Sequence, residues 1–419
     1  MKQDFFALSP ELEALSGKAL EKCAPAFAKI EKITEYNQQK VLQAFIANKV
    51  SERHLLGSTG YGYNDEGRKK LDAVFAQAMG AEDALIRHSF ASGTHTLMVA
   101  LFGLLRPKDV MLSVTGTPYD TIQGAIGISG SGGGTLLDFG IEYRQVDLTQ
   151  AGLVDYEAIS TAMSKEIKLV YIQRSRGYTL RPSLSVEEIE KIAERVKQIN
   201  PKAIVMVDNC YGEFVQRDEP CARGADIIAG SLIKNPGGGI APSGGYIAGK
   251  AELVELCANR MTTAATGREV GCTLGHSREL YLGLFNAPHA VGEALKTAAF
   301  TAALFAELGY KVTPAPLEER ADIIQAVLLE DAECLKAYCR GIQSGSPVDS
   351  FVTPEPWDMP GYDSQVIMAA GTFTLGSSIE LSADAPLRPP FAVWQQGGVN
   401  FHAAKAGVLM AAQGVIARG

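Results

Sequence analysis

The chain has few of the residue patterns that metal sites and disulfide frameworks need. Its 419 residues include six histidines and seven cysteines. The cysteine number is odd, no C-x-x-C pair occurs, and the histidines are scattered without an H-E-x-x-H motif. These patterns predict reduced thiols in a cytosolic protein, and they argue against a disulfide scaffold, a zinc site and metal catalysis.

Long apolar runs and blocks of like charge are also missing. No apolar run reaches the roughly 18 residues of a membrane-spanning helix, and the opening stretch is too polar for a secretory signal. The net charge is −8, from 39 basic and 47 acidic residues without a block of one sign. That balance argues against nucleic acid or an anionic membrane as the partner. We therefore expect a cytoplasmic protein that binds a small molecule.

The length and composition allow one large domain and a smaller one. The chain is 46% hydrophobic and 21% charged, which is ordinary for a globular protein, and it is longer than a single core usually organises. We expect an N-terminal helical arm with a tyrosine- and glycine-rich loop over residues 1–80, a large domain over 81–300 and a small α+β domain over 301–419. Within the arm, residues 9–48 and 66–79 have helical patterns.

Strands and helices alternate from Ala84 onward. The apolar runs at 110–114 and 167–173 have the character of buried strands, and Ser185 begins an S-x-x-E capping box that opens a helix. Such alternation predicts right-handed βαβ units. The predicted fold is therefore α/β, with a large domain whose mostly parallel sheet is flanked by helices, and a smaller α+β domain at the C-terminus.

Two polar residues follow neighbouring strands in the middle of the chain. The apolar run Ala203–Val207 ends on Asp208, and the short run Asp226–Ala229 leads to Lys234, with Ser231 three residues before it. Parallel strands present their carboxyl ends at one edge of a sheet, so the carboxylate and the amine can share a crevice. Pyridoxal phosphate (PLP) chemistry needs this pair: the amine forms a Schiff base, and the carboxylate keeps the ring nitrogen protonated.

Simpler interpretations of these residues remain open. Most lysines are solvated charges, and an aspartate at a strand end often only starts a turn. The Ser92–Thr94 turn offers free N–H groups and hydroxyls at a helix start, which suits a phosphate, although many helices begin this way for capping alone. A nucleotide site is the weaker alternative, because G-x-x-x-x-G-K-[ST] is absent and the loop at 129–135 has no lysine.

Four motifs occur together in an order that resembles a known group of enzymes. They are SGT at 92–94, TPYDT at 117–121, VDN at 207–209 and SLIK at 231–234. With these motifs the chain, from about residue 57 to its end, resembles fold-type-I PLP enzymes of the Cys/Met metabolism group. It is most similar to the methionine γ-lyase-like, aluminium-resistance family.

The resemblance implies a role for each matching residue. Lys234 would hold the cofactor aldehyde and move substrate protons, and Asp208 would pair with the pyridinium nitrogen. Tyr119 would stack on the ring and assist the leaving group. Tyr61 and Tyr63 would reach the phosphate of a neighbouring subunit. Small residues on two loops would seat the phosphate of the same subunit: Ser92, Gly93, Thr94 and Ser231.

The chain departs from the parent lyases in two places. Ile233 stands where they carry a hydroxyl, and the segment 174–177 replaces their P-x-N-P. The asparagine of that motif is thereby lost, and Arg176 would do a related job. The arginine for the substrate carboxylate would be Arg388, although this residue could equally be solvated. Burial beside cationic or apolar groups would lower the pKa of Lys234.

The expected function is that of a PLP-dependent carbon–sulfur lyase. It would perform β- or γ-elimination on a small sulfur-containing amino acid such as methionine, cystathionine or cysteine. Another PLP reaction, by an aminotransferase or an aldolase-like enzyme, is the alternative within enzymes. A PLP-bound amino-acid sensor without turnover is the alternative outside them, and the altered segment 174–177 motivates it. The resemblance also implies a homo-oligomer, a dimer of dimers.

Overall fold

The computed structural model describes residues 5–130, 132–359 and 364–418. Within these ranges the helices are, in chain order, α1 (Pro10–Ala47), α2 (Glu66–Met79), α3 (Gly93–Leu104), α4 (Asp120–Ile126), α5 (Tyr156–Ala162), α6 (Val186–Ile199), α7 (Ala251–Met261), α8 (Ser277–Glu307), α9 (Ala332–Ser344) and α10 (Phe401–Ile416). None of these helices is both long enough and apolar enough to cross a lipid bilayer.

The strands of the same ranges form two sheets. They are β1 (Asp83–Arg87), β2 (Val110–Ser113), β3 (Glu142–Gln145), β4 (Ile167–Gln173), β5 (Ile204–Asp208), β6 (Ile227–Ser231), β7 (Gly245–Gly249), β8 (Lys311–Thr313), β9 (Gln325–Leu328), β10 (Val366–Ala369), β11 (Ser382–Pro386) and β12 (Ala392–Gln396). Strands β1 to β7 make the large sheet, and β8 to β12 make the small one.

Local signals place the helices where the sequence predicts them. Ser9 accepts a hydrogen bond from the N–H of Leu12 and caps α1, and Pro10 occupies the first helical position, where no N–H is needed. Ser185 and Glu188 form the predicted capping box, each side chain accepting from the other's backbone N–H. These helix starts are therefore determined by short-range chemistry.

The large sheet has the order β1-β7-β6-β5-β4-β2-β3. Every described pairing between β6 and β3 is parallel, whereas β7 is antiparallel to both of its neighbours. The predicted mostly parallel sheet is confirmed. Its central strand is buried on both faces: Val205 and Val207 pack into one hydrophobic cluster, and Ile204 and Met206 pack into another on the opposite side.

The small sheet is antiparallel throughout, with the order β10-β11-β12-β9-β8. Helix α9 packs on this sheet and α10 packs on α9, which completes the predicted α+β tail. The long helix α8 contacts β8, β9 and β12 of the small sheet, and it also contacts α2, which packs on β1 of the large sheet. The proposed division of the chain near residues 80 and 300 stays a prediction.

Hydrogen bonds join the small sheet to the carboxyl edge of the large one. The N–H of Ile379, in the loop that leads into β11, donates to the carbonyl of Ile233 over 3.0 Å, directly before Lys234. The indole N–H of Trp394 on β12 donates to the carbonyl of Thr179 over 3.2 Å. The small sheet therefore forms one wall of the crevice above the ends of β4, β5 and β6.

Candidate active site

The carboxyl edge of the large sheet gathers the predicted residues. Gln173 ends β4 opposite Asp208, which ends β5, and Ser231 ends the next strand, β6. Lys234 follows three residues later. The N–H of Tyr119, in the loop after β2, donates to Oε1 of Gln173 over 2.7 Å. Parallel strand order therefore brings together residues from four segments of the chain.

Asp208 is a buried carboxylate with neutral hydrogen-bond donors. It is 5% exposed. The phenol of Tyr171 donates to Oδ2 over 3.3 Å, and the N–H of Cys210 donates to Oδ1 over 3.1 Å. Burial raises the pKa of Asp208 above its usual range, although the charge of Lys234 and these hydrogen bonds oppose the rise. A carboxylate in this setting is stabilised most by a cationic partner.

Lys234 points its amine at an aromatic ring. Its Nζ lies 4.0 Å from the centre of the Tyr211 ring, and the side chain is half-buried. Burial favours the neutral amine, but the acidic groups of Tyr211, Cys210 and Asp208 outweigh burial, so the pKa of Lys234 is raised. The expected lowering of this pKa is therefore wrong for the chain itself, because the surroundings of the amine are acidic rather than cationic or apolar.

The SGT turn lies against the end of β6. Ser92 caps α3 by accepting from the N–H of His95 over 3.0 Å, and Gly93 is the first residue of the helix. A Cβ atom at Gly93 would lie 3.4 Å from Cβ of Ser231. The hydroxyls of Thr94 and Thr121 lie 2.7 Å apart. This turn therefore combines a helix N-terminus with small hydroxyl side chains in one place.

A cavity opens beside this turn and borders the residues around Lys234. Its volume is about 350 Å³, and its lining includes Ser92, Ser231, Ile233, Ser243 and Gly244. The first N–H groups of a helix have no partner within the helix and attract anions. The absent Cβ at Gly93 keeps that end of α3 open. The site therefore fits PLP: the amine of Lys234 suits the aldehyde, the carboxylate of Asp208 suits the ring nitrogen, and the N-terminus of α3 suits the phosphate.

A comparison with family models identifies the group to which this arrangement belongs. The model described as methionine gamma-lyase matches residues 12–416. The chain belongs to the methionine gamma-lyase family. The predicted family of PLP-dependent lyases is thereby confirmed.

Individual relatives of this family member agree in sequence and fold. The protein YnbB of Bacillus subtilis is 50% identical over 89% of each chain. A crystal structure from Clostridium novyi, described as a carbon-sulfur lyase involved in aluminum resistance, is 48% identical with a TM-score of 0.93, over 97% of this chain and 96% of that one. The PLP-dependent protein YhfS of Escherichia coli is 14% identical, with a TM-score of 0.63 over 93% of this chain and 97% of that one. This last likeness concerns the fold, and it agrees with the predicted fold type I.

The two tyrosines of the N-terminal loop lie on the surface. Tyr61 is 74% exposed and Tyr63 is 60% exposed, and their rings stack with centres 5.5 Å apart. The buried Arg68 fixes the loop, because its guanidinium donates to the carbonyl of Gly62 over 3.0 Å and also to that of Gly271. Exposed stacked rings on a rigid loop are compatible with contact to a second subunit, and that role stays a prediction.

The two arginines predicted for the substrate have different surroundings. Arg176 is buried, and its guanidinium donates to the carbonyl of Thr313 over 2.9 Å and lies 3.9 Å from Asp322. These contacts join the loop after β4 to the small sheet. Arg388 is exposed in the turn between β11 and β12. The structure does not bring either guanidinium into a described contact with Lys234, and their substrate roles stay predictions.

Tertiary structure adds residues to the site that sequence reasoning missed. Tyr211 lies under the amine of Lys234, and its only sequence signal is its place three residues after Asp208. Asp384 on β11 is buried, which raises its pKa, and the positive charge of Lys234 opposes that rise. Tyr178 donates to Asp384 over 3.0 Å and packs edge-on against Tyr119, with ring centres 5.6 Å apart. This tyrosine directly follows the segment that departs from the parent pattern.

Proposed function

We propose that the chain is a PLP-dependent carbon–sulfur lyase that performs β- or γ-elimination on a small sulfur-containing amino acid. The observation that carries this proposal is the convergence of Lys234, Asp208 and the N-terminus of α3 on one edge of the sheet. The Clostridium novyi relative, described as a carbon-sulfur lyase, supports the type of bond that is broken.

Each end of the cofactor would have its own group of residues. The phosphate would lie at the start of α3 and the end of β6, held by Ser92, Gly93, Thr94 and Ser231. Asp208 would accept a hydrogen bond from the ring nitrogen, and Lys234 would hold the carbon of the aldehyde. When bound, PLP supplies an aldehyde that condenses with amines and a ring that stores the electrons of a broken bond.

The chain's own side chains would then move the protons. Lys234 would take the proton from the substrate's Cα, because its amine stands beside the acidic groups that stabilise its ammonium form. The phenol of Tyr119 would protonate the departing sulfur. The backbone of Gly177 closely approaches one side of the Tyr119 ring, since a Cβ at this glycine would lie only 3.2 Å from Cδ2 of Tyr119.

Other parts of the proposal concern the substrate and the assembly. Arg388 or Arg176 would bind the substrate carboxylate, because a guanidinium can donate two parallel hydrogen bonds to it. Tyr61 and Tyr63 would reach a neighbouring subunit's phosphate in a cytoplasmic dimer of dimers. Their exposed, stacked rings support this part of the proposal.

The first experiment tests cofactor attachment. Purified protein supplied with PLP should show an absorbance band at about 420 nm that is lost in Lys234→Ala, as Schiff-base chemistry requires. Lys405→Ala is the matched control, since Lys405 also stands over a ring, that of Phe300, at 6.0 Å. Equal spectra for the wild type and Lys234→Ala would refute the attachment site.

The second experiment tests the reaction. A panel of methionine, cystathionine and cysteine should release a keto acid, ammonia and a thiol. Asp208→Asn should retain the band but lower kcat by about 10²-fold or more, because the ring nitrogen loses its charged partner. Stoichiometric conversion to the pyridoxamine form would indicate an aminotransferase instead. Spectral changes without product over hours would indicate a sensor.

A further inference from the structure

Tyr211 adopts a backbone conformation that tyrosine seldom takes. It follows the end of β5 by three residues, with φ at +69°, and it is 8% exposed. The turn is fixed by hydrogen bonds from the N–H of Asn209 to Ala229 over 3.0 Å and from the N–H of Gly212 to Asn209 over 2.9 Å. A left-handed conformation costs a bulky residue free energy, and such residues concentrate at functional sites.

This conformation presents the face of the ring to the amine of Lys234. The Nζ atom lies 4.0 Å from the ring centre, well inside the roughly 6 Å range of a cation–π interaction. The face of a phenol ring carries partial negative charge and attracts an ammonium more than a neutral amine. The contact therefore favours the protonated form of Lys234.

Asp384 adds negative charge from the small sheet. It is 2% exposed, and its described donors are neutral: Ser377 at 2.9 and 3.0 Å, Tyr178 at 3.0 Å and Gln396 at 3.3 Å. Burial raises the pKa of Asp384, and the hydrogen bonds from Ser377 and Tyr178 and the positive charge of Lys234 oppose this rise, because a buried carboxylate is stabilised by a nearby cation. Asp384 also raises the pKa of the buried Tyr211, after burial itself.

We propose that Tyr211 is a catalytic residue whose ring face receives the ammonium that Lys234 forms on taking the substrate's Cα proton, and that Asp384 is a positioning residue that stabilises the same charge. The proposal rests on the proposed function. In the step, the Cα–H bond breaks and its electron pair stays with the substrate carbon. The proton forms an N–H bond on Nζ, which changes from neutral amine to ammonium.

The consequence is that Lys234 becomes a stronger base and keeps the proton until it delivers that proton back to the substrate. Stabilising the ammonium raises the driving force for proton removal from carbon. It also places the proton on the atom that can deliver it to another carbon of the substrate. Tyr119, in contrast, lies after β2 and is assigned to the leaving group, so the two tyrosines have separate tasks.

The test uses the cofactor-free protein, so it does not depend on turnover. Cyanate carbamylates neutral amines only, so the rate at Lys234, followed by peptide mass spectrometry at pH 8, reports the neutral fraction. Tyr211 is replaced by phenylalanine and then by phenylalanines with one, two and three ring fluorines. Fluorine weakens the negative face with little change in ring size, and Lys405 serves as the internal control.

We expect Tyr211→Phe to raise the rate at Lys234 by a few-fold, because the acidic hydroxyl of Tyr211 also favours the ammonium. The fluorinated series should raise the rate stepwise by about a further tenfold in all, one pKa unit. The rate at Lys405 should stay constant. A series in which the fluorinated variants match Tyr211→Phe would overturn the role of the ring face, because the hydroxyl alone would then hold the amine.

A second variant tests the carboxylate without opening the site. Asp384→Asn keeps the size of the side chain and should also raise the rate of carbamylation at Lys234 several-fold. An unchanged rate would overturn the role of Asp384.

In the PLP-loaded protein, the Cα-deuterium isotope effect on kcat should increase in the trifluorinated variant. Absence of any lyase reaction would refute the proposed function, yet leave the carbamylation result standing.

Discussion

Replacing Gly93 by alanine tests the phosphate seat with a single methyl group. The added Cβ would lie 3.4 Å from Cβ of Ser231 and 3.7 Å from Sγ of Cys210, which are ordinary van der Waals distances. The position is the first of α3 and does not have a positive φ. We therefore expect the cofactor-free protein to gain about 0.4–1 kcal/mol, since alanine loses less backbone entropy on folding.

The effect on PLP should have the opposite sign. The methyl group would occupy the space between Gly93 and Ser231, beside the cavity, and hold the phosphate away from the helix N-terminus. A hydrogen bond to a charged group contributes about 1.5–3 kcal/mol, and each 1.4 kcal/mol is about tenfold in affinity. Losing one N–H contact should therefore raise the Kd for PLP by about 10- to 100-fold.

The assay is an equilibrium titration with PLP, followed by the Schiff-base absorbance and compared with thermal unfolding of the cofactor-free protein. Gly17→Ala is the matched control, because Gly17 lies within α1 and a Cβ there would meet no atom within 4 Å. It should gain similar stability and keep the wild-type Kd. An unchanged Kd in Gly93→Ala would show that the phosphate does not lie at the start of α3.

Two further predictions concern buried charges around the site. Burial raises the pKa of Glu213 to about 8 despite the hydrogen bond from Tyr246. The folded state therefore keeps a proton that the unfolded chain loses above about pH 4.5. The free energy of unfolding should fall as the pH rises from about 4.5 to 8, by at most about 1.4 kcal/mol per pH unit. Urea unfolding at pH 5, 7 and 8.5 should show that Glu213→Gln removes this fall, and an equal slope in both proteins would contradict the assignment. Arg68→Met removes the guanidinium donors to the carbonyls of Gly62 and Gly271, so unfolding free energy should drop by about 3 kcal/mol. Amide exchange in the tyrosine loop should also quicken, unlike in the exposed control Arg53→Met, and unchanged exchange would show that the loop is held by other contacts.

Much of the fold could be predicted because its signals are local. The caps at Ser9 and Ser185 need only the residues of one helical turn. The β-branched run before Asp208 can be recognised as a buried strand by itself, and alternation with helices makes the neighbouring strands parallel. The reversed strand β7 was not predicted, because its direction depends on where the chain crosses the sheet and not on its own five residues.

The amino-acid sequence by itself determined which side chains stand at the ends of β5 and β6, since strand polarity and the βαβ rule suffice to bring Asp208 and Lys234 to one edge. Only the tertiary structure decided what surrounds the amine. Tyr211 turns its ring toward Lys234 through one left-handed residue, and Asp384 arrives from a separate sheet. Because charge acts through space and not along the chain, neighbours from distant segments set the acidity of the lysine, and no local pattern encodes them.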